Sequence, residues 1–235
     1  LVVTGKKYLQ VSQEQLQVSR EKRDILQMID QYISNPENQN YRCLQGLQTT
    51  NPRNDKTRIE NIKGSLPADS YHRIFDNANF RQWCDNEQSR LLWIKSDPGK
   101  DKTILLYGII DELSKSIPDT SLLSFFCQAI DTRINNSTAV LCGLIYLLVD
   151  QQPTLISYMR KEYDHAGNEL FQDANTWFAL SGMFANIVQD LSLKSAYLIV
   201  DALDECVIHL PRLLDLIVQG SSTSTHVKWI VSSRN

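Results

Sequence analysis

Ile94-Lys95-Ser96-Asp97-Pro98-Gly99-Lys100-Asp101-Lys102-Thr103 is the stretch on which the reading of this chain turns. It follows a short β-type run, Leu91 to Lys95, and opens a helical pattern, Ile104 to Ser114. Strand, loop and helix in that order are the setting of a phosphate-binding loop, whose pattern is G-x-x-x-x-G-K-[ST]. In that register Lys102 and Thr103 fall on the Lys and Ser/Thr positions, while Ser96 and Asp101 stand where the two glycines belong. The loop is recognisable and damaged at once.

Each part of such a loop has a physical task. Backbone N–H groups curl around a phosphate at a helix N-terminus, and glycines serve where the backbone must come close or take φ > 0. The lysine places a point charge on the β- and γ-phosphates, and the following hydroxyl ligates Mg²⁺. Lys102 and Thr103 suit both tasks. Asp101 adds a carboxylate beside a polyphosphate, and a like-charge contact at ~5 Å with an effective dielectric of ~20 costs about 3 kcal/mol, roughly two orders of magnitude in affinity. The burden of Ser96 is conformational and depends on its φ.

A second informative stretch is Ala196-Tyr197-Leu198-Ile199-Val200-Asp201-Ala202-Leu203-Asp204-Glu205-Cys206. Four apolar residues predict a buried strand with Asp201 at its carboxyl end, where open α/β sheets bind ligands. An acid there can hold Mg²⁺, and one just beyond it, Asp204 or Glu205, can orient an attacking water. The competing reading is a capped turn into a helix over 208–220, with Asp204 favoured by the helix dipole. Lys102-Thr103 earlier in the chain tips the balance towards the metal site. Val227 to Val231 predicts a further buried strand with Ser232-Ser233-Arg234 at its tip, where a guanidinium either senses a phosphate or is plain surface.

The remaining pattern fits an α/β sandwich with a mainly parallel sheet: Ser121 to Cys127 as a second buried strand, a strongly apolar run over 137–150, a further helix over 154–163 and helical periodicity over 169–191. Residues 1–45 predict an amphipathic helix with Ile25, Met28, Ile29, Tyr32 and Ile33 on one face, stopped at Asn35-Pro36. It reads as a connector from an upstream domain, with a partner- or membrane-binding helix as the alternative. Residues 46–68 read as polar connector, with turn signals at Asn51-Pro52 and Gly64 to Pro67. The other reading is a segment lying against a nucleotide's base or ribose. Asp69-Ser70 predicts the cap of a helix carrying Tyr71, Ile74, Phe75, Phe80 and Trp83, read as core aromatics. Arg133 points either to solvent, the favoured reading, or to the nucleotide edge.

The 235 residues, 42% hydrophobic, suffice for one sizeable core and an appendage. A formal net charge of -3 without Lys/Arg blocks gives no reason to expect nucleic acid. Five scattered cysteines without a C-x-x-C pair suggest reduced residues of an intracellular protein, Cys127 and Cys142 being core or helix-face residues. No apolar run approaches the ~18 residues of a membrane span. A cytoplasmic protein is expected, and the ends read as cuts in a longer polypeptide.

Taken together, Trp93 to Thr103, Leu198 to Cys206 and Trp229 to Asn235 resemble the NACHT domain of fungal NOD-like receptors, in the STAND class of P-loop NTPases that includes vegetative-incompatibility proteins. Asn51 to Lys56 and Asp69-Ser70-Tyr71 are similar to the same family. The resemblance implies three parts: 1–45 a helical connector, 46–90 the segment preceding the NACHT core, and 91–235 the core, truncated at its C-terminal end. It implies a switch driven by ATP or GTP with Mg²⁺ and slow hydrolysis, coupling an effector and a repeat sensor of the same chain and able to form a homo-oligomer. By position, the loop Ser96, Asp97, Pro98, Gly99, Lys100, Asp101, Lys102 and Thr103 would cradle the nucleotide with Arg234, Thr103 and Asp201 would hold the metal, and Asp204 or Glu205 would be catalytic. Gly→Ser and Gly→Asp each follow from a single G-to-A base change, which suggests a decayed copy with a weakened switch. A nucleotide-independent pseudo-NTPase scaffold is the alternative, and a small-molecule phosphotransferase, lacking an identifiable lid, ranks below it.

Overall fold

A computed structural model describes the chain except for residues 1, 49, 65–70, 118–119 and 172–174. Two units are distinguished, Leu1–Cys43 and Leu44–Asn235. The first carries α1 (Val2–Ser34) and most of α2 (Pro36–Leu47). Pro36 both stops α1 and starts α2, where the Asn35 side chain accepts a hydrogen bond from the Glu37 amide at 2.9 Å. Ile25, Met28, Ile29 and Tyr32 on α1 are exposed.

The second unit is built on four strands, β1 (Leu91–Lys95), β2 (Ser121–Phe126), β3 (Ala196–Asp201) and β4 (Val227–Ser233), all parallel in the order β1-β4-β3-β2. Parallel neighbours need crossovers, and helices supply them. The period of two along each strand divides the side chains between two faces. Leu122, Phe126, Tyr197, Ile199, Ile230, Leu92 and Ile94 pack with α3 (Pro52–Lys63), α4 (Ala78–Asp85) and α5 (Lys102–Ser116), through Ile59, Phe80, Trp83, Leu106, Tyr107, Ile109, Ile110 and Leu113. The opposite face presents Leu123, Phe125, Leu198, Val200, Trp229 and Val231, all buried. It is covered by α6 (Ser137–Gln151), α8 (Thr176–Val188) and α9 (Leu210–Thr223), with α7 (Ile156–Ala166) against α8. The result is an α/β fold of the P-loop NTPase type.

Residues 52–63 correct the sequence expectation. They form a helix rather than a connector, and Asn51-Pro52 is its start. The Asn51 side chain accepts from the Arg53 amide at 3.0 Å, Pro52 occupies the first turn, and Gly64 ends the helix at φ 79°. Proline at the first helical position gives up no hydrogen bond, so the same dipeptide that opens a turn can open a helix. Pro52, Asp55 and Ile59 are buried, and α3 packs on β2 beside the loop that follows that strand. The expected cap at Asp69-Ser70 and the turn residues 65–67 lie outside the described residues. Phe80 and Trp83 are core, as are Cys127 and Cys142.

Gly143 shows how closely α6 approaches the sheet. A Cβ there would lie 2.6 Å from the Phe125 ring and 3.0 Å from Pro52 Cγ, whereas one at Gly182 would meet nothing within 4 Å. Gly143→Ala is therefore expected to destabilise by about 1–3 kcal/mol through overpacking. Gly182→Ala, inside α8, should be neutral or stabilising by up to about 1 kcal/mol. Urea denaturation of the two variants separates these outcomes.

Candidate functional site

The carboxyl ends of β1, β3 and β4 meet at one cleft of about 340 Å³, the lower end of the range for small-molecule sites. Pro98 to Thr103 form one wall, Asp201, Ala202, Asp204 and Glu205 the other, with Arg234 and Lys63 between. The strand phase explains the convergence. Asp201 shares the face of Tyr197 and Ile199, and Ser232 that of Ile230, so both turn towards the layer holding α5 and α3. A slip of one residue would send both to the far face.

Asp201 is 2% exposed. A buried carboxylate must be hydrogen-bonded, and two hydroxyls serve that need. The Ser232 hydroxyl donates to Oδ1 while accepting from the Ala202 amide at 2.9 Å, and the Thr103 hydroxyl lies close enough to the same carboxylate to favour its charged form. Burial pushes the Asp201 carboxyl above the ordinary carboxylate range, against the opposing pull of those hydroxyls and of the Lys63 charge. Thr103 Oγ1 in turn accepts from Lys63 Nζ at 2.7 Å. Neither Lys63 nor Ser232 was assigned a role from sequence. The only signal for Lys63 is a basic residue ahead of a helix-ending glycine, and Ser232 becomes visible only once β4 is known to lie beside β3.

The loop is tied to itself. Lys102 Nζ donates to the Ser96 carbonyl at 2.8 Å, the Ser96 hydroxyl at 3.1 Å and the Asp97 carbonyl at 3.3 Å. An ammonium has three protons, so all are engaged. Asp101 takes φ 49°, ψ 35°, the left-handed region, and makes no capping bond with its exposed side chain. A non-glycine residue there costs roughly 1 kcal/mol, least for Asp and Asn. Ser96 is absent from the described residues with positive φ, so the serine carries no such strain. Gly99, at φ 75°, keeps the glycine that its conformation favours.

Arg234 is engaged by the two acids proposed for water. Its Nε lies 3.0 Å from Asp204 Oδ2, its Nη2 3.1 Å from Glu205 Oε1, and its amide donates to Asp204 Oδ1 at 2.9 Å. Glu205 Oε2 also accepts from the Ala129 amide at 3.1 Å, and Asp97 Oδ1 from Asn235 Nδ2 at 2.9 Å. Lys100 is exposed at the rim. Arg133 lies outside the cleft, paired with Asp131 at 2.7 Å.

Four cationic residues (Lys63, Lys100, Lys102, Arg234) and four anionic ones (Asp101, Asp201, Asp204, Glu205) line the cleft, which is formally neutral. A polyphosphate would enter with surplus negative charge and needs a cation with it. Among the described residues no group of three or more His, Cys, Asp or Glu could hold a metal by itself. One hydroxyl and one carboxylate in contact do suit Mg²⁺, which keeps several waters and takes its other ligands from phosphate.

A family profile described as "Nephrocystin 3, N-terminal" matches residues 69–234. The chain belongs to this family. Over 193 residues, 82% of its length, it is 59% identical to "Vegetative incompatibility protein HET-E-1" of Podospora anserina. The resemblance to the NACHT region of fungal NOD-like receptors is thereby shown. The matched part is 14% of that relative's length, so the chain corresponds to a small portion of it. Among the described residues no helix is long and apolar enough to cross a membrane.

Within this nephrocystin-3-type unit, Ser232 is the residue whose loss isolates Asp201 most directly. Ser232→Ala leaves a carboxylate oxygen and the Ala202 amide short of a partner, and is expected to cost about 1–3 kcal/mol. Thermal and urea unfolding of the variant measure that loss.

Proposed function

We propose that the chain is the nucleotide-binding switch module of a NOD-like receptor of the fungal incompatibility type, with affinity lowered by its altered loop. The observation that carries this reading is the convergence of Thr103, Lys102 and the buried Asp201 carboxylate on the lining of one cleft. Thr103 and Asp201 would hold Mg²⁺, which supplies charge neutralisation for the phosphates of ATP or GTP. Lys102 would exchange its bonds to Ser96 and Asp97 for phosphate oxygens, while the loop amides face the same group. Arg234 would turn from Asp204 and Glu205 towards the terminal phosphate, freeing those acids to orient water. Such an exchange of partners is how a γ-phosphate orders a switch segment. In the longer receptor it would couple the effector and repeat-sensor parts of the same chain and favour homo-oligomer formation in incompatibility or cell death.

The second reading, a pseudo-NTPase scaffold, is favoured by the Asp101 carboxylate at the N-terminus of α5, where it competes with a phosphate for the same helix dipole. Isothermal titration with Mg-ATP and Mg-GTP decides between them. Asp101→Gly is expected to tighten binding about a hundredfold by removing the like charge, and Lys102→Ala to abolish it. Equal affinity in the parent and Asp101→Gly overturns the damage argument. No binding by either favours the scaffold.

A further inference from the structure

Lys63 is the last residue of α3, and its ammonium reaches the corner that the proposed metal would use. Lys63 Nζ donates to Thr103 Oγ1 at 2.7 Å, and both residues line the cleft beside the buried Asp201 carboxylate, whose charged form they favour. An ammonium 2.7 Å from the Thr103 oxygen places a positive charge where the divalent ion would sit, and the two repel each other. Lysine and metal are therefore alternatives at Thr103.

We infer that Lys63 is a resident cation of this cleft, an ammonium on α3 that neutralises the Thr103–Asp201 corner in the absence of metal and withdraws when Mg²⁺ takes its place. The lysine side chain suits such an exchange, being a compact charge on a flexible four-carbon stem. The consequence is regulatory. α3 is fastened to the loop helix α5 through Lys63 and Thr103 while the site lacks metal, and is released from that fastening on loading. The state of the cleft is thereby reported to the helix immediately preceding residues 65–70. This assignment deepens the nucleotide reading and rests on it for its purpose, although the lysine–metal competition can be measured alone.

The test uses nucleotide-free protein with Mg²⁺ as the probe, read by thermal unfolding. Lys63→Gln keeps a donor for Thr103 and removes the charge, and Lys63→Arg keeps the charge. Millimolar Mg²⁺ is expected to leave the parent and Lys63→Arg unmoved and to raise the Tm of Lys63→Gln by about 2–5 °C. Adding Asp201→Asn to Lys63→Gln should abolish the rise. If the glutamine variant yields no folded protein, Lys63→Met provides the same contrast. A Tm response equal in the parent and the uncharged variant, or one that survives Asp201→Asn, overturns the assignment. Mg-ATP titration of the same proteins separates the two ideas: absent nucleotide binding with the Mg²⁺ contrast intact sinks the switch and leaves Lys63 as the metal's competitor.

Discussion

The cleft depends on a carboxylate that cannot be left alone. Asp201 ends a strand whose preceding apolar residues are buried on both faces, so it emerges within the protein's own layer boundary rather than in bulk water. A charge so placed must be answered by fixed partners, and each comes from a different element: Ser232 from β4, Thr103 from α5, Lys63 from α3 through Thr103. The strand order follows the same need. With β4 between β1 and β3, the serine that receives the Ala202 amide stands beside the carboxylate, and the loop after β1 is one strand away.

Around that centre the charges of the cleft are spent on one another. Lys102 is held by Ser96 and Asp97, Arg234 by Asp204 and Glu205, Lys63 by Thr103. None of these contacts needs a ligand, and each involves a residue whose sequence pattern suggests a ligand contact. On the proposed reading, loading such a site would be an exchange of partners rather than a filling of vacant ones. Its free energy is the difference between two bonded states, smaller than the interactions taken singly. That balance is a property of switches, because a small difference can be tipped from either side.

The sheet was legible because its strands read as apolar runs bounded by polar residues; β2, β3 and β4 are largely buried, as parallel strands are, while the edge strand β1 holds no buried residue. Asp201 was legible for the same reason, as the first charge after Leu198-Ile199-Val200. The helix α3 was not. Its twelve residues hold few apolar side chains, and its burial rests on Pro52, Ile59 and the carboxylate of Asp55 rather than on a periodic stripe. Arg58 answers one oxygen of that carboxylate, bridging Asp55 Oδ1 at 3.3 Å and Gln128 at 3.0 Å, while Asp55 Oδ2 is buried with no hydrogen-bond partner among the described residues. These partners are distant in sequence or hidden within a polar run. With α3 unread, Lys63 could have no place in the cleft, and with β4 unplaced, Ser232 could have no link to Asp201.

The two loop substitutions then separate in their physical meaning. Ser96 sits at the end of β1 without positive φ, and its hydroxyl adds an acceptor for Lys102, so it strengthens the ligand-free arrangement without straining the chain. Asp101 bears both a strained backbone and a negative charge at a helix N-terminus, where it gains from the dipole what a phosphate would have gained. Residues 97–101 are exposed and contribute no buried apolar surface. The core that holds the four strands is consequently indifferent to both changes. A fold of this kind can keep its architecture while its loop drifts from the pattern, because the residues that bind and the residues that pack are different residues.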